Sequence, residues 1–271
     1  MKAGLGGFDS YTPPPILPEP TSVLVLVFVW LDKKLNNCFL AHKSRLSPAS
    51  KMRLLLFAPK DSIHTKRWIS HFSTLHEVFL ADELSQTLSP SEIVQIINPD
   101  IVHGHSITGW GWQAAATAFH PLVLSAWGSD LLLDVLDINN LLLTEQALRN
   151  ADLVTADSEE LLEKALELGA KNVKLVRFGV DLNIFNPKGD GSQIRDQLGF
   201  AAAHRIIFSP RAMMPLYNID LLAEALPAVL ETFPQARLLF NTYNQDSTYR
   251  RKIEESLLRN SVSSYARFAG G

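Results

Sequence analysis

The chain has 271 residues, 46% of them hydrophobic and 20% charged, with a formal net charge of −3. That balance excludes a charged, disordered polymer and gives no global pull toward nucleic acid. A single cysteine, Cys38, rules out an internal disulfide and a cysteine-based metal cluster, and it suits a reducing compartment.

Val23–Leu31 (VLVLVFVWL) is the one strongly apolar run. It falls well short of the roughly 20 residues that span a bilayer as a helix. The Pro-rich stretch before it carries Glu19 and no basic region adjoining the run, so it makes a poor signal peptide. It reads as a buried strand or as translated sequence upstream of the natural start. Met52, directly before RLLLFAP, favours the second reading. Residues 1–51 are therefore expected to be an extension outside the fold.

From Met52 onward strands and helices alternate. The pattern predicts strands at 53–58, 77–80, 100–103 and 122–126. Helices are expected at 64–75, with Trp68, Phe72 and Leu75 facing inward, and at 91–97, 110–119 and 140–150. Short apolar strands separated by helices are the mark of a parallel sheet covered on both faces. Residues 151–187 continue it. LVTA is a buried strand, and Asp157 with Glu160 fits a capping box. Leu161, Leu162, Ala165, Leu166 and Leu168 form the inner face of the next helix. Gly169 takes the left-handed position after it, and NVKLVRF is a further strand. Past Pro187 a second unit begins, with strands at 205–208, 236–240 and 266–269 and helices at 219–232 and 248–259. Independent domains usually run to about 100–150 residues, so this second unit reads as unfinished at Gly271.

In open parallel sheets ligands sit beyond the carboxyl ends of the strands. The loop PKDSIHTKRW opens a helix at Ser62, His64 and Thr65, where unpaired N–H groups favour phosphate or carboxylate, and Arg67 lies one turn on. A capped helix with a solvated basic face fits the same residues equally well. HGHSITGWGW carries His103, His105, Gly109 and Gly111. It is neither G-x-G-x-x-G nor a Walker loop, which argues against a nicotinamide cofactor or a nucleoside triphosphatase. With no third ligand at a recognisable spacing, the two histidines read as hydrogen-bonding groups rather than a metal pair. His103 reads as a strand-end residue and His105 as the one to meet a ligand. In AWGSD, Asp130 either accepts from sugar hydroxyls or caps the Leu-rich helix beginning near Leu131, and Trp127 either stacks on a ring or closes the core. No Asp-x-Asp pair occurs in the chain, which favours a metal-independent mechanism.

Several of these segments, in this order, resemble family 4 glycosyltransferases of the GT-B fold. They are HTKRW after the first strand, DIVHGHS, LSAWGSDLL, the exit GVDLNIFNP, and SPRAMMPLYNIDLLAEALP at the start of the second unit. The resemblance implies an α/β, GT-B-like chain. A Rossmann-like acceptor-side domain would occupy 52–186, and the first part of a donor-side domain, incomplete, 187–271. It implies transfer of a sugar from a nucleotide-sugar to a glycan, lipid-linked or small-molecule acceptor, with retention, in polysaccharide biosynthesis. By that analogy His105 and Asp130 are catalytic, and Ser62, His64, Thr65, Arg67 and Trp127 face the acceptor. Arg211 binds the donor phosphate. No cofactor or metal is implied beyond the nucleotide-sugar co-substrate. The expected location is the cytoplasm, with peripheral contact at the inner membrane face. The chain departs from the family pattern at Trp127-Gly128, where many relatives have His-Gly, and at RAMMPLYN, which lacks the usual lysine. The family's Glu-x7-Glu donor motif would lie past Gly271, so this stretch alone is expected not to bind a nucleotide-sugar. The alternatives are a non-catalytic GT-B-like binding or partner module and, less favoured, a sugar-nucleotide epimerase.

Overall fold

The computed structural model describes residues 51–270. The expected N-terminal extension, apart from Lys51, and the Val23–Leu31 run lie outside the described residues. The chain divides into two units between Val180 and Asp181.

In the first unit six strands form one all-parallel sheet: β1 (Arg53–Phe57), β2 (Glu77–Leu80), β3 (Ile101–His105), β4 (Leu122–Ser125), β5 (Leu153–Ala156) and β6 (Val173–Leu175), in the spatial order β2-β1-β3-β4-β5-β6. The chain leaves β1 toward β2 and returns to place β3 on the other side of β1. The loops after β1 and β3 therefore diverge, which is where a parallel sheet opens a crevice for a ligand.

Side-chain alternation sorts each strand between two faces. Leu55, Phe57, Val102, Leu124 and Val154 join one core cluster, with Ile93 of α2 (Pro90–Ile97), Ala114 of α3 (Trp112–Ala116), Leu131 of α4 (Ser129–Leu132), Leu148 of α5 (Ile138–Asn150) and Leu161 of α6 (Glu159–Glu167). Leu54, Ile101, Val123 and Leu153 form another with Phe72 and Trp68 of α1 (Ile63–Phe72). α2 is held at both ends by local chemistry. Ser89 and Glu92 make a reciprocal capping box, Pro90 opens the first turn, and Asn98 at φ 47° closes it in the left-handed region.

The first unit departs from the sequence expectation in several places, and β6 is cut to Val173–Leu175 from the NVKLVRF predicted. Leu75 lies past the end of α1 and is 46% exposed, because the helix stops at Phe72. β3 runs on to His105, two residues further than predicted. The Ala-rich helix shrinks to Trp112–Ala116, since Ile107–Gly111 forms a wider turn broken at Thr108 and at Gly109 (φ 79°). α6 is capped by Ser158, which accepts from Leu161 N, and not by Asp157. Ser158 keeps an extended backbone (φ −136°, ψ 160°), so the helix starts one residue later and Asp157 stays outside it. On α6 Leu166 faces solvent, whereas Leu161, Ala165 and Leu168 are buried. Gly169 has φ +101°, as the sequence predicts.

Gly104 fixes how tightly α3 sits on β3. A Cβ there would lie 2.8 Å from Leu124 Cδ2, 3.0 Å from Gly111 Cα and 3.1 Å from Ala114 Cβ. Gly104→Ala is expected to cost about 1–3 kcal/mol, the usual range for overpacking a filled core. Urea unfolding of the variant measures it, and an unchanged midpoint would show that the sheet and α3 separate freely.

The second unit has three parallel strands, β7 (Arg205–Ser209), β8 (Ala236–Asn241) and β9 (Ala266–Ala269) in that order, with α8 (Asp220–Thr232) and α9 (Ser247–Arg259). Met213, Ile219, Leu226, Leu238, Phe240, Ile253 and Leu257 make its core. A short helix, α7 (Ser192–Gln197), precedes β7 where the sequence shows no helical period.

Candidate active site

Histidines 103 and 105 share a face of β3 because they are two residues apart on a strand. Ser125 of β4 pairs in register with His105, and Thr155 of β5 with Ser125. The result is a buried polar line across three strands: His103 Nε2 lies 2.8 Å from Ser125 Oγ, which lies 2.7 Å from Thr155 Oγ1. Trp68 of α1 stands edge-on to both imidazoles, at ring separations of 5.4 and 5.3 Å. The two imidazoles are 4.2 Å apart.

His105 is 0% exposed, and neither ring nitrogen has a hydrogen-bond partner among the described residues. Thr65 Oγ1 and Trp127 Nε1 are likewise buried without one. An unsatisfied buried polar group costs about 1–3 kcal/mol, so the two on His105 at the end of β3 and the one on Trp127 just past β4 are a functional signal. His64, after β1, tilts against Trp127 at 5.1 Å and stacks on Phe178 at 5.0 Å, while Trp127 stands edge-on to His105 at 6.0 Å. Thus His64, His105 and Trp127, from three separate loops or strand ends, meet in one aromatic and imidazole cluster, with the buried Thr65 next to His64 in the sequence.

Burial holds these histidines neutral. It pushes His103 down to about 3 and His105 well below its ordinary value, the latter helped by the neighbouring His103 and His64. His64 is lowered by burial and then by Arg67, with Asp157 pulling the other way. The consequence for stability has a definite sign. Below about pH 6.5 the unfolded chain binds protons that the folded one refuses, so stability falls with pH down to about 3. Each histidine contributes at most about 1.4 kcal/mol per pH unit in that window. Denaturant melts between pH 8 and pH 4 are expected to show this slope, and His103→Gln is expected to flatten it.

Asp130 is 0% exposed and accepts from four backbone amides. Ile107 N and Gly128 N each lie at 2.8 Å, and Trp127 N and Leu131 N at 3.1 Å. Burial raises its pKa and those four N–H groups oppose the rise. A carboxylate has about four acceptor positions, and the protein fills them. Asp130 therefore ties the turn after β3 to the turn after β4, and the helix that contains it has no side-chain cap. Thr108 Oγ1 to Asp134 Oδ2, at 2.7 Å, is a second tie between the same turns.

Of the other sequence candidates, Ser62 is the N-cap of α1, accepting from His64 N at 3.2 Å. Arg67 is exposed one turn further along. Arg211 is exposed just past β7 in the second unit, its guanidinium 5.1 Å from the ring centroid of Tyr217. Ser125, Thr155 and Phe178 are absent from the sequence candidates. The signal for the first two was present: a single hydroxyl residue near the end of each of two apolar strand runs, LVLS and LVTA. Among the described residues no group of three or more His, Cys, Asp or Glu side chains is placed to hold a metal ion. Nor is any helix among them long and apolar enough to cross a membrane.

The segment from β2 to the cap of α6, which carries His103, His105, Trp127 and Asp130, matches the family model described as glycosyl transferase 4-like. The match covers residues 78–158. The fold of the longer chain agrees. The Anabaena protein Alr3699/HepE, solved with UDP and glucose, superposes with a TM-score of 0.64 at 18% identity, over 81% of this chain and 69% of that one. A Rickettsia africae ESF-5 glycosyltransferase gives 0.59 at 15%, over 82% and 69%. A putative UDP-N-acetylglucosamine 2-epimerase from Listeria monocytogenes gives 0.55 at 13%, also over 82% and 69%. At these identities the likeness is one of fold, GT-B-like with Rossmann-like α/β units. No curated protein matches the chain by sequence.

Proposed function

We propose that the protein is a retaining glycosyltransferase, moving a sugar from a nucleotide-sugar donor to a glycan, lipid-linked or small-molecule acceptor. One observation carries this reading. The glycosyl transferase 4-like segment coincides with the strand ends that gather the unpartnered His105 and Trp127. In this reading the first unit receives the acceptor. His105, neutral and desolvated, offers one nitrogen as donor and one as acceptor to hydroxyl groups at the reacting centre. His64, Thr65 and Trp127 line the approach, Ser62 presents the amides of the α1 N-terminus, and Arg67 meets any acidic substituent. Asp130 acts by positioning these loops and does not touch the sugar.

In the second unit Arg211 neutralises charge developing on the leaving diphosphate, a role that places a fixed cation where charge appears in the transition state. The Anabaena relative was solved with UDP and glucose, which makes UDP-glucose the first donor to try. Cytoplasmic location, peripheral contact with the inner membrane face and a place in polysaccharide synthesis belong to the same proposal. Vesicle flotation at low and moderate salt tests the membrane contact, and absence of co-flotation in both removes it.

The test of function uses the protein at the length its source cells make. It is incubated with UDP-glucose and a panel of saccharide acceptors, with UDP release followed and the product's anomeric configuration read by proton NMR. An α-linked product from the α-linked donor supports retention. A β-linked product overturns it, and interconversion of the donor sugar without transfer points to the epimerase class instead.

A further inference from the structure

The second unit gathers three arginines at one end of its sheet. Arg237 and Arg267 are the second residues of β8 and β9. Leu239 pairs in register with Arg267, and Arg237 lies two residues before Leu239, so both arginines stand on the same face. The Arg237 guanidinium lies 4.5 Å from the ring centroid of Tyr265. Arg267 Nη1 donates to the carbonyls on either side of that tyrosine, Ser264 O at 3.0 Å and Ala266 O at 2.8 Å, and its Nε donates to Leu198 O just past α7. Arg195 of α7 completes the set, its Nη2 donating to His204 O at 2.7 Å and to Ala201 O at 3.2 Å. The three cations converge on His204, the residue before β7. Desolvation lowers the His204 pKa most, and the charges of Arg237, Arg195 and Arg267 lower it further.

No carboxylate among the described residues lies within ion-pair distance of these arginines, and Asp196, next to Arg195 in the sequence, is exposed and pairs with none of them. A guanidinium carries five N–H donors, and here only part of each set is spent. Arg237 bonds through Nη1 alone, to Pro234 O and Ala236 O, and Arg195 through Nη2 alone. Nε and Nη2 of Arg237, Nε and Nη1 of Arg195 and Nη2 of Arg267 are left over, and none of these atoms is buried. All three residues are half-buried, so carbonyls and an aromatic ring fix the guanidiniums while the unspent N–H groups reach solvent.

We propose that Arg195, Arg237 and Arg267 form a binding site for a doubly charged oxyanion of the phosphate type. Fixed guanidiniums offer paired N–H groups that match phosphate oxygens. A dianion also offsets the mutual repulsion of three cations that have no acid beside them. The site is separate from the donor contact assigned to Arg211. That residue lies past the carboxyl end of β7, whereas the cluster sits at the amino ends of these parallel strands. The five residues of β7, about 17 Å of extended chain, stand between the two. Free phosphate and the phosphomonoester headgroup of an anionic lipid present the same chemistry to it.

Phenylglyoxal modifies accessible arginines, and peptide mapping of the 271-residue chain reads each one separately with no substitution needed. For a Kd of about 1 mM, inorganic phosphate at about 10 mM is expected to slow modification of Arg195, Arg237 and Arg267 about tenfold against chloride of equal ionic strength. Arg251, exposed on α9, is the control and is expected to keep its rate. Slowing confined to Arg211, equal slowing at Arg251, or no slowing within the cluster overturns the site. Phosphatidylcholine vesicles with and without phosphatidic acid distinguish the source of the anion. Protection by the phosphatidic acid vesicles, at a headgroup concentration where free phosphate is ineffective, supports the site and assigns it to a membrane surface. Protection by free phosphate alone supports it and assigns it to a soluble ligand, and protection by neither overturns it. No arm contains a sugar donor, so the outcome is separate from any failure of the transferase reading.

Discussion

Asp130→Ala is expected to lower the stability of the protein by about 3–5 kcal/mol, the loss seen when one member of a buried, charge-assisted set is removed. The carboxylate accepts from Ile107, Trp127, Gly128 and Leu131, so its removal orphans four amides at once in a place with no solvent to replace it. The first of these amides belongs to the turn after β3 and the other three to the turn after β4. The loss therefore uncouples two elements rather than weakening one. Against a total stability of about 5–15 kcal/mol, the variant should unfold at markedly lower urea and expose Trp127 to solvent. Asp130→Asn is expected to fall between, since its amide keeps one acceptor oxygen but turns an NH2 toward backbone donors. Urea titrations followed by tryptophan fluorescence measure both variants. A loss under 1 kcal/mol for the alanine variant would mean that the two turns hold their shape without the carboxylate.

The first unit was legible in the sequence to the extent that periodicity governs it. β1, β2, β4 and β5 fall where short apolar runs predict them, and α5, α8 and α9 follow from their spacing, whereas α7 does not. The misses have local physical causes. β3 extends past His103 to His105, which pairs in register with Ser125 of β4. No count of apolar residues shows that. The helix expected at 110–119 loses its first turn to the Ile107–Gly111 segment, whose shape depends on Asp130 holding Ile107 N from another loop. A contact between residues 23 apart in sequence is invisible to local pattern. The capping error at Asp157 is of the same kind: Asp157 and Ser158 are both good caps, and only the extended backbone at Ser158 decides between them.

The site candidates divide along the same line. Motif resemblance picked out His64, Thr65, His105 and Trp127, and the structure brings the rings of His64, His105 and Trp127 together. Resemblance could not show that Asp130 spends its carboxylate on backbone amides, because residue type alone does not report what a side chain is bonded to. Nor could it find Phe178, which becomes notable only once His64 is seen stacked beneath it. The sequence names the side chains, and burial assigns them between touching a ligand and holding the loops that do.

Arg211→Ala is expected to weaken UDP-glucose binding by about 30–1000-fold at the protein's native length, the range for truncating a cation on a buried phosphate contact. Stability should change by no more than about 0.5 kcal/mol, because the residue is exposed on a loop. The separation of these two effects is what makes the variant informative. Arg211 stacks its guanidinium on Tyr217, and no carboxylate among the described residues forms an ion pair with it. A cation held by an aromatic face keeps its N–H donors available for an incoming oxyanion. Arg211→Lys preserves the charge but loses the planar fork, so it should recover part of the affinity and remain short of the native value. If the diphosphate contact is electrostatic, the native affinity should also fall as ionic strength rises, and the alanine variant should be less sensitive. Isothermal titration with UDP-glucose and with UDP at two salt concentrations reads all of this. Equal losses for both ligands place Arg211 on the diphosphate. A loss confined to UDP-glucose would place it on the sugar instead, and no loss at all would remove Arg211 from the donor site.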